Sequence, residues 1–186
     1  MEDASPSASG HLDAETLFRR HAPFVARFLM RLGIGSAEVD DLVQEVFLVA
    51  HTRGGYVPAG AKATTWLAQI AVHIASNARR KRARRAANHE DASVSGLASP
   101  GDPQSRLAAA QALTRVREAL DALDIDHRAV FVLFEIEREP CDAIAAGMGI
   151  PVGTVYSRIH KARAVFREEY QRVAGTPAYP PIAAAR

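Results

Sequence analysis

Apolar positions recur at helical spacing along most of the chain. Leu17, Phe18, Phe24, Val25, Phe28, Leu29 and Leu32 are spaced for the buried face of a helix that begins near Leu12 and stops at Gly33 and Gly35. Ser36 is placed to cap a short turn, and Asp40–Ala50 follows as a helix with Leu42, Val43, Val46, Val49 and Ala50 inward. Asp41, Gln44, Glu45 and Leu48 then face outward. A third helix, from Thr64 or Thr65 to about Arg85, carries a stripe of Leu67, Ile70, Ala71, Ile74 and Ala78, with Trp66, His73, Asn77 and Arg80 along a line beside it. Two more helices are predicted over about 106–123 and 126–137, where Val116, Leu120, Leu123, Val130, Leu133 and Phe134 join Ile144 in a second core.

The last helical pair is the most informative. Pro140–Arg167 reads as helix, tight corner and helix: Gly147 and Gly149 supply backbone freedom, and Pro151 cannot continue the first helix. In the second helix Val155, Ile159, Ala162 and Phe166 fall on one arc, while Ser157, His160, Lys161 and Ala164 lie opposite, with Tyr156 at the border and Arg158 and Arg163 on the flanks. This is the layout of a helix-turn-helix that reads the DNA major groove, and equally that of an αα-hairpin with a solvated charged face.

Between these patterns the composition breaks. His51–Ala63 holds Gly54, Gly55, Pro58 and Gly60 and is expected to be a loop; residues 86–105, rich in Ser, Gly and Pro, are expected to be a flexible linker. The predicted architecture is all-α: two small helical domains, 12–85 and 106–172, flanked by disordered tails at 1–11 and 173–186.

With 186 residues and 48% hydrophobic content, the chain can bury two small cores. The formal net charge of +2 does not by itself point to nucleic acid. The distribution does: Arg79-Arg-Lys-Arg-Ala-Arg-Arg85 clusters cations at one helix end, more than a helix dipole calls for. Trp66, next to hydrogen-bonding and cationic side chains, reads either as a core aromatic or as a platform for unpaired bases. The acidic outer face around Asp41 reads either as solvated or as a docking surface for a basic partner. The single Cys141 excludes an internal disulfide, and no apolar run approaches the roughly 20 residues of a membrane span. The acidic, small-residue N-terminus is not a secretory signal, so a cytoplasmic protein without membrane contact is expected. No metal-ligand cluster, phosphate loop or nucleophile elbow is present in the sequence, which argues against an enzyme and against a cofactor.

Three segments in this order resemble the sigma factors of bacterial RNA polymerase, in the small extracytoplasmic-function class that keeps only regions 2 and 4. Asp40–Phe47 is similar to region 2.2, Thr65–Ala71 with the basic run to regions 2.3 and 2.4, and Gly149–Arg163 to region 4.2. The resemblance implies core polymerase and promoter DNA as partners, with an anti-sigma factor as a further candidate. It implies that Asp41, Gln44, Glu45 and Leu48 dock core polymerase. Lys62, Trp66, His73, Asn77, Arg80 and Arg82 would engage the −10 element, with the Arg53–Lys62 loop holding a flipped base. Thr154, Tyr156, Ser157, His160 and Lys161 would read the −35 element, with Arg158 and Arg163 on its backbone. His73 stands where the family usually has Asn, Asn77 where it has Asp, and Pro140-Cys-Asp-Ala143 replaces a Ser-aromatic-acidic-acidic opening that would have supplied a helix cap. A stand-alone helix-turn-helix regulator is the competing reading, since it would need neither the acidic helix nor Trp66.

Overall fold

The computed structural model describes residues 10–86 and 103–174. Helix α1 (Ala14–Arg31) starts where extended Asp13 accepts a hydrogen bond from the Thr16 amide at 2.8 Å. The expected disordered lead-in ends sooner than His11. His11 Nε2 lies 2.7 Å from the Gly54 carbonyl oxygen, and Leu12 pairs with Tyr56 in an antiparallel bridge, so the 53–56 turn ties the chain down. Helix α2 (Ser36–Thr52) is capped by Gly35 with no side-chain bond; the Ser36 cap is therefore a miss, because Ser36 already lies inside the helix. Helix α3 (Ala63–Ala86) completes the first unit. Phe28, Leu29, Val46, Leu67 and Ile70 are among its buried core. Phe18, expected to be buried, keeps 45% of its surface exposed; Leu17 takes the inward place, and the Phe18 ring meets Phe47 edge-on at 5.1 Å.

Helix α4 (Pro103–Asp121) begins inside the expected linker, with Pro103 as the first helical residue, where a missing N–H costs nothing. The rest of that linker, 87–102, lies outside the described residues. Extended Asp124 opens α5 (Ile125–Phe131) by accepting from the His127 amide at 3.0 Å. The chain does not continue as a plain α-helix to Glu137. It widens into a π-turn over Val132–Ile136 and then bends at Arg138, whose φ is 57°. Helices α6 (Cys141–Met148) and α7 (Val152–Ala174) meet at Gly149, left-handed at φ 65°. Pro140 stands at the α6 N-cap without a capping side-chain bond. α7 runs two residues past its expected end, and 175–186 lie outside the described residues.

Asp124→Ala is expected to cost about 1 kcal/mol in urea denaturation, the usual value of a lost N-cap. Asp13 and Asp124 also set an acid limit. The Thr16 bonds hold Asp13 below the ordinary carboxylate range; at Asp124, partial burial opposes the bonds to His127, which prevail and lower it too. A depressed folded pKa gives stability that is complete above the unfolded value and is lost as pH falls through the folded one. Stability should therefore decline below about pH 4.

The two units also pack against each other. α3 is buried on two opposite faces. Leu67, Ile70, Ala71 and Ile74 serve the first core, while Thr65, Ala68 and Val72 share the face that meets α6. Gly147 lies inside α6 rather than at the turn. It is needed not for backbone freedom but for room, because a Cβ there would come within 2.5 Å of Thr65 Cγ2.

Candidate nucleic-acid interface

Helix α7 shows the two faces its periodicity predicts. Val155, Ile159, Ala162 and Phe166 are buried, and Ser157, His160, Lys161 and Ala164 are exposed. Tyr156, 60% exposed, projects from the first turns of α7, where a recognition helix presents its base-reading side chains. Near Tyr156, the Cys141 thiol is pushed upward in pKa by burial and the nearby Asp142, so it stays protonated at neutral pH. Thr154 is half-buried, and its carbonyl accepts from the Ser157 hydroxyl at 3.0 Å.

The two flanking arginines are held by their own domain. Arg158 pairs with Asp126 at 3.3 Å. Arg163 bonds Glu135 at 2.6 Å and lies 5.3 Å from the centre of the Phe134 ring. Each is thereby aimed along the edge of α7, one toward the start of α5 and one toward the π-turn.

In the first unit, His73, Asn77 and Arg80 are exposed along one side of α3, and the Arg80 guanidinium bonds Asn77 Oδ1 at 2.6 Å. Trp66 resolves neither way entirely: it is half-buried, packed on the core, with its ring 5.8 Å from that of Tyr56. Arg82 lies 4.0 Å from Glu38 across an open groove of about 1200 Å³ between the start of α2 and the end of α3. That groove gathers residues from two predicted sites, Glu45 from one and Asn77, Arg80 and Arg82 from the other, over a floor that includes Leu42, Ile74 and Ala78. Lys62 stands apart from this group: its ammonium bonds Glu139 of the second unit at 2.9 Å.

Asp41, Gln44 and Glu45 are exposed along α2, and Leu48 is 63% exposed among them. A leucine left in water within an acidic stripe serves no packing purpose in the free chain. Sequence reasoning passed over Arg128, Glu137 and Glu139, all of which join the two units. Among the described residues there is no group of three or more His, Cys, Asp or Glu able to hold a metal, and no helix long and apolar enough to cross a membrane.

A helical unit with a basic, aromatic-bearing helix, followed by a helix-turn-helix unit, is a transcription-protein architecture, and the comparisons narrow it. The Sigma-70 region 2 family matches residues 17–85 and the Sigma-70 region 4 family residues 113–165. RNA polymerase sigma factor CarQ of Myxococcus xanthus is 35% identical over 83% of this chain and 87% of its own length. The ECF RNA polymerase sigma factor SigM of Mycobacterium tuberculosis is 31% identical over 81% of this chain and 73% of its own. Among solved structures, sigma factor RpoE bound to the anti-sigma factor NepR, from Bartonella quintana, shares the fold with a TM-score of 0.62 at 21% identity, covering 88% of this chain and 98% of that one. The chain belongs to the sigma-70 family, as an RNA polymerase sigma factor of the extracytoplasmic-function class. The stand-alone regulator is not favoured.

Proposed function

We propose that the two units divide promoter recognition as their surfaces suggest, in a cytoplasmic, non-enzymatic subunit. Asp41, Gln44, Glu45 and Leu48 bind core polymerase. The loop ending at Lys62, with Trp66, His73, Asn77, Arg80 and Arg82, holds the separated −10 strand. An unstacked base captured beside an indole stabilises the open duplex without nucleotide hydrolysis, because stacking and phosphate contacts supply the free energy. Tyr156, Ser157, His160 and Lys161, next to Thr154, read the −35 duplex, while Arg158 and Arg163 reach its backbone. The exposed polar row on α7 opposite its buried arc carries this reading. The anti-sigma factor bound to the Bartonella relative supports a comparable partner for this chain.

Transcription by the holoenzyme on a promoter library tests it. Lys161→Ala should weaken promoter binding, whereas His160→Ala should cost about 1–3 kcal/mol at particular −35 positions and relax preference there. Wild-type behaviour from both variants would remove α7 as the reading helix.

A further inference from the structure

The basic run at the end of α3 does not behave as one block. Arg79 is turned back onto the end of α1, donating to the Leu32 carbonyl at 3.4 Å, and Arg82 lies 4.0 Å from Glu38 of α2. Arg80 instead bonds a neighbour that strand reading already uses: its guanidinium donates to Asn77 Oδ1 at 2.6 Å. The two stand three residues apart, a helical spacing at which side chains meet. Both are exposed, so neither serves the core.

This contact fixes which way round the Asn77 amide stands. The oxygen and nitrogen of a carboxamide are nearly alike in shape, and an exposed asparagine turns either one outward at little cost. A guanidinium has N–H donors and no acceptor, so the atom it bonds is the oxygen. The Nδ2 group, attached to the same carbon, is then turned away from Arg80, and it carries only donors. Oδ1 keeps a second lone pair, but the cation beside it repels the positive hydrogens of an incoming amine. The bidentate pairing of asparagine with adenine, which uses the amide oxygen and nitrogen together, is disfavoured for the same reason.

We propose that Arg80 is a positioning residue that makes Asn77 a donor-only reader of the −10 strand, selecting a keto base over an amino base. Guanine and thymine present an oxygen, O6 or O4, where adenine and cytosine present an NH2 group. The Nδ2 donors pair with that oxygen and oppose an NH2. The selection rests on the assignment of this face of α3 to the separated strand, and adds to it the chemical class of base and the residue that sets the choice. Arg80 holds Asn77 and a phosphate at once. One N–H is given to Asn77, and the other donors of its fork remain for a phosphate oxygen. A phosphate that immobilises the guanidinium removes much of the entropic cost of holding the pair, so the amide is held most firmly when the strand is bound.

The test is transcription by the holoenzyme, assembled from core polymerase and the full chain, on promoters carrying each of the four bases at every −10 position, with circular dichroism as the folding check. The wild type should favour a keto base at one position by about five- to tenfold, the lower part of the range for a base contact. Asn77→Ala should erase that preference. Asn77→Asp, which offers acceptors only, should reverse it in favour of adenine or cytosine. Arg80→Ala should weaken every promoter through the lost phosphate contact and also flatten the preference at that one position to within about twofold. Arg80→Lys, whose ammonium likewise only donates, should keep the preference. If Arg80→Ala lowers all promoters alike and leaves the preference intact, the positioning role is overturned while α3 still holds the strand. A wild-type preference for an amino base at the position that Asn77→Ala affects would overturn the donor-only assignment. No change at any −10 position in Asn77→Ala would remove Asn77 from the strand-reading face, and this selection with it.

Discussion

Asp41→Lys combined with Glu45→Lys is expected to strip the protein from core polymerase, with a loss of about 2–4 kcal/mol, roughly 30- to 700-fold in affinity. Both side chains are exposed on α2, so the substitutions leave the core of Val39, Val43, Val46 and Phe47 intact. The fold should be disturbed by no more than about 0.5 kcal/mol. The loss comes from two sources. In the proposed docking, the lysines would set like charge against a basic partner surface, slowing encounter and penalising the bound state. Leu48, 63% exposed about one turn beyond Glu45, would also lose the dry contact proposed for it. Leu48→Ala alone should give a smaller loss that added salt does not change, whereas the charge reversal should weaken as ionic strength rises. Measured by co-purification and by competition for core polymerase, full retention by the double lysine variant would remove this face of α2 as the docking surface.

The parts of this protein that are legible in its sequence are those governed by local period. The arc Val155, Ile159, Ala162 and Phe166 is buried, and the outer faces of α2 and α7 are exposed where spacing places them. What escapes is whatever depends on a partner far along the chain. Arg128 in α5 has no role that periodicity reveals, because nothing nearby in sequence points to a helix end 97 residues earlier waiting for a donor. Glu137 falls at the end of a predicted helix and Glu139 just past it, and their carboxylates acquire meaning only through Arg31 and Lys62. Gly147 reads as a hinge, although its helical backbone needs no freedom and its missing methyl matters only against Thr65. One signal was available. Ala68 and Val72 lie outside the Leu67–Ile74 stripe, and a helix with small apolar residues on its second face has a second neighbour to meet.

Arg128→Ala is the substitution with the largest expected effect on how the molecule holds together. It deletes a side chain of which only 2% is exposed, leaves the Arg31 carbonyl without its donor and opens a space beside Gly33. Burial lowers the Arg128 pKa and Asp121 opposes that shift, and the guanidinium, charged at any ordinary pH, is paired with Asp121. Removing one partner of such a buried arrangement costs about 3–5 kcal/mol. Asp121 is 62% exposed and returns readily to water, which places the expected value toward the lower end. The loss should not appear as simple unfolding. α1–α3 pack chiefly on one another, as do α4–α7, so the variant is expected to uncouple the two groups. A single thermal transition in the wild type should become two, with near-native helicity before the first. Arg128→Lys tests the mechanism, since an ammonium can reach one acceptor but cannot fork between the Arg31 carbonyl and Asp121. It should recover only part of the coupling. One unshifted transition in Arg128→Ala would mean that the carbonyl-capping contact contributes nothing to holding the two units together.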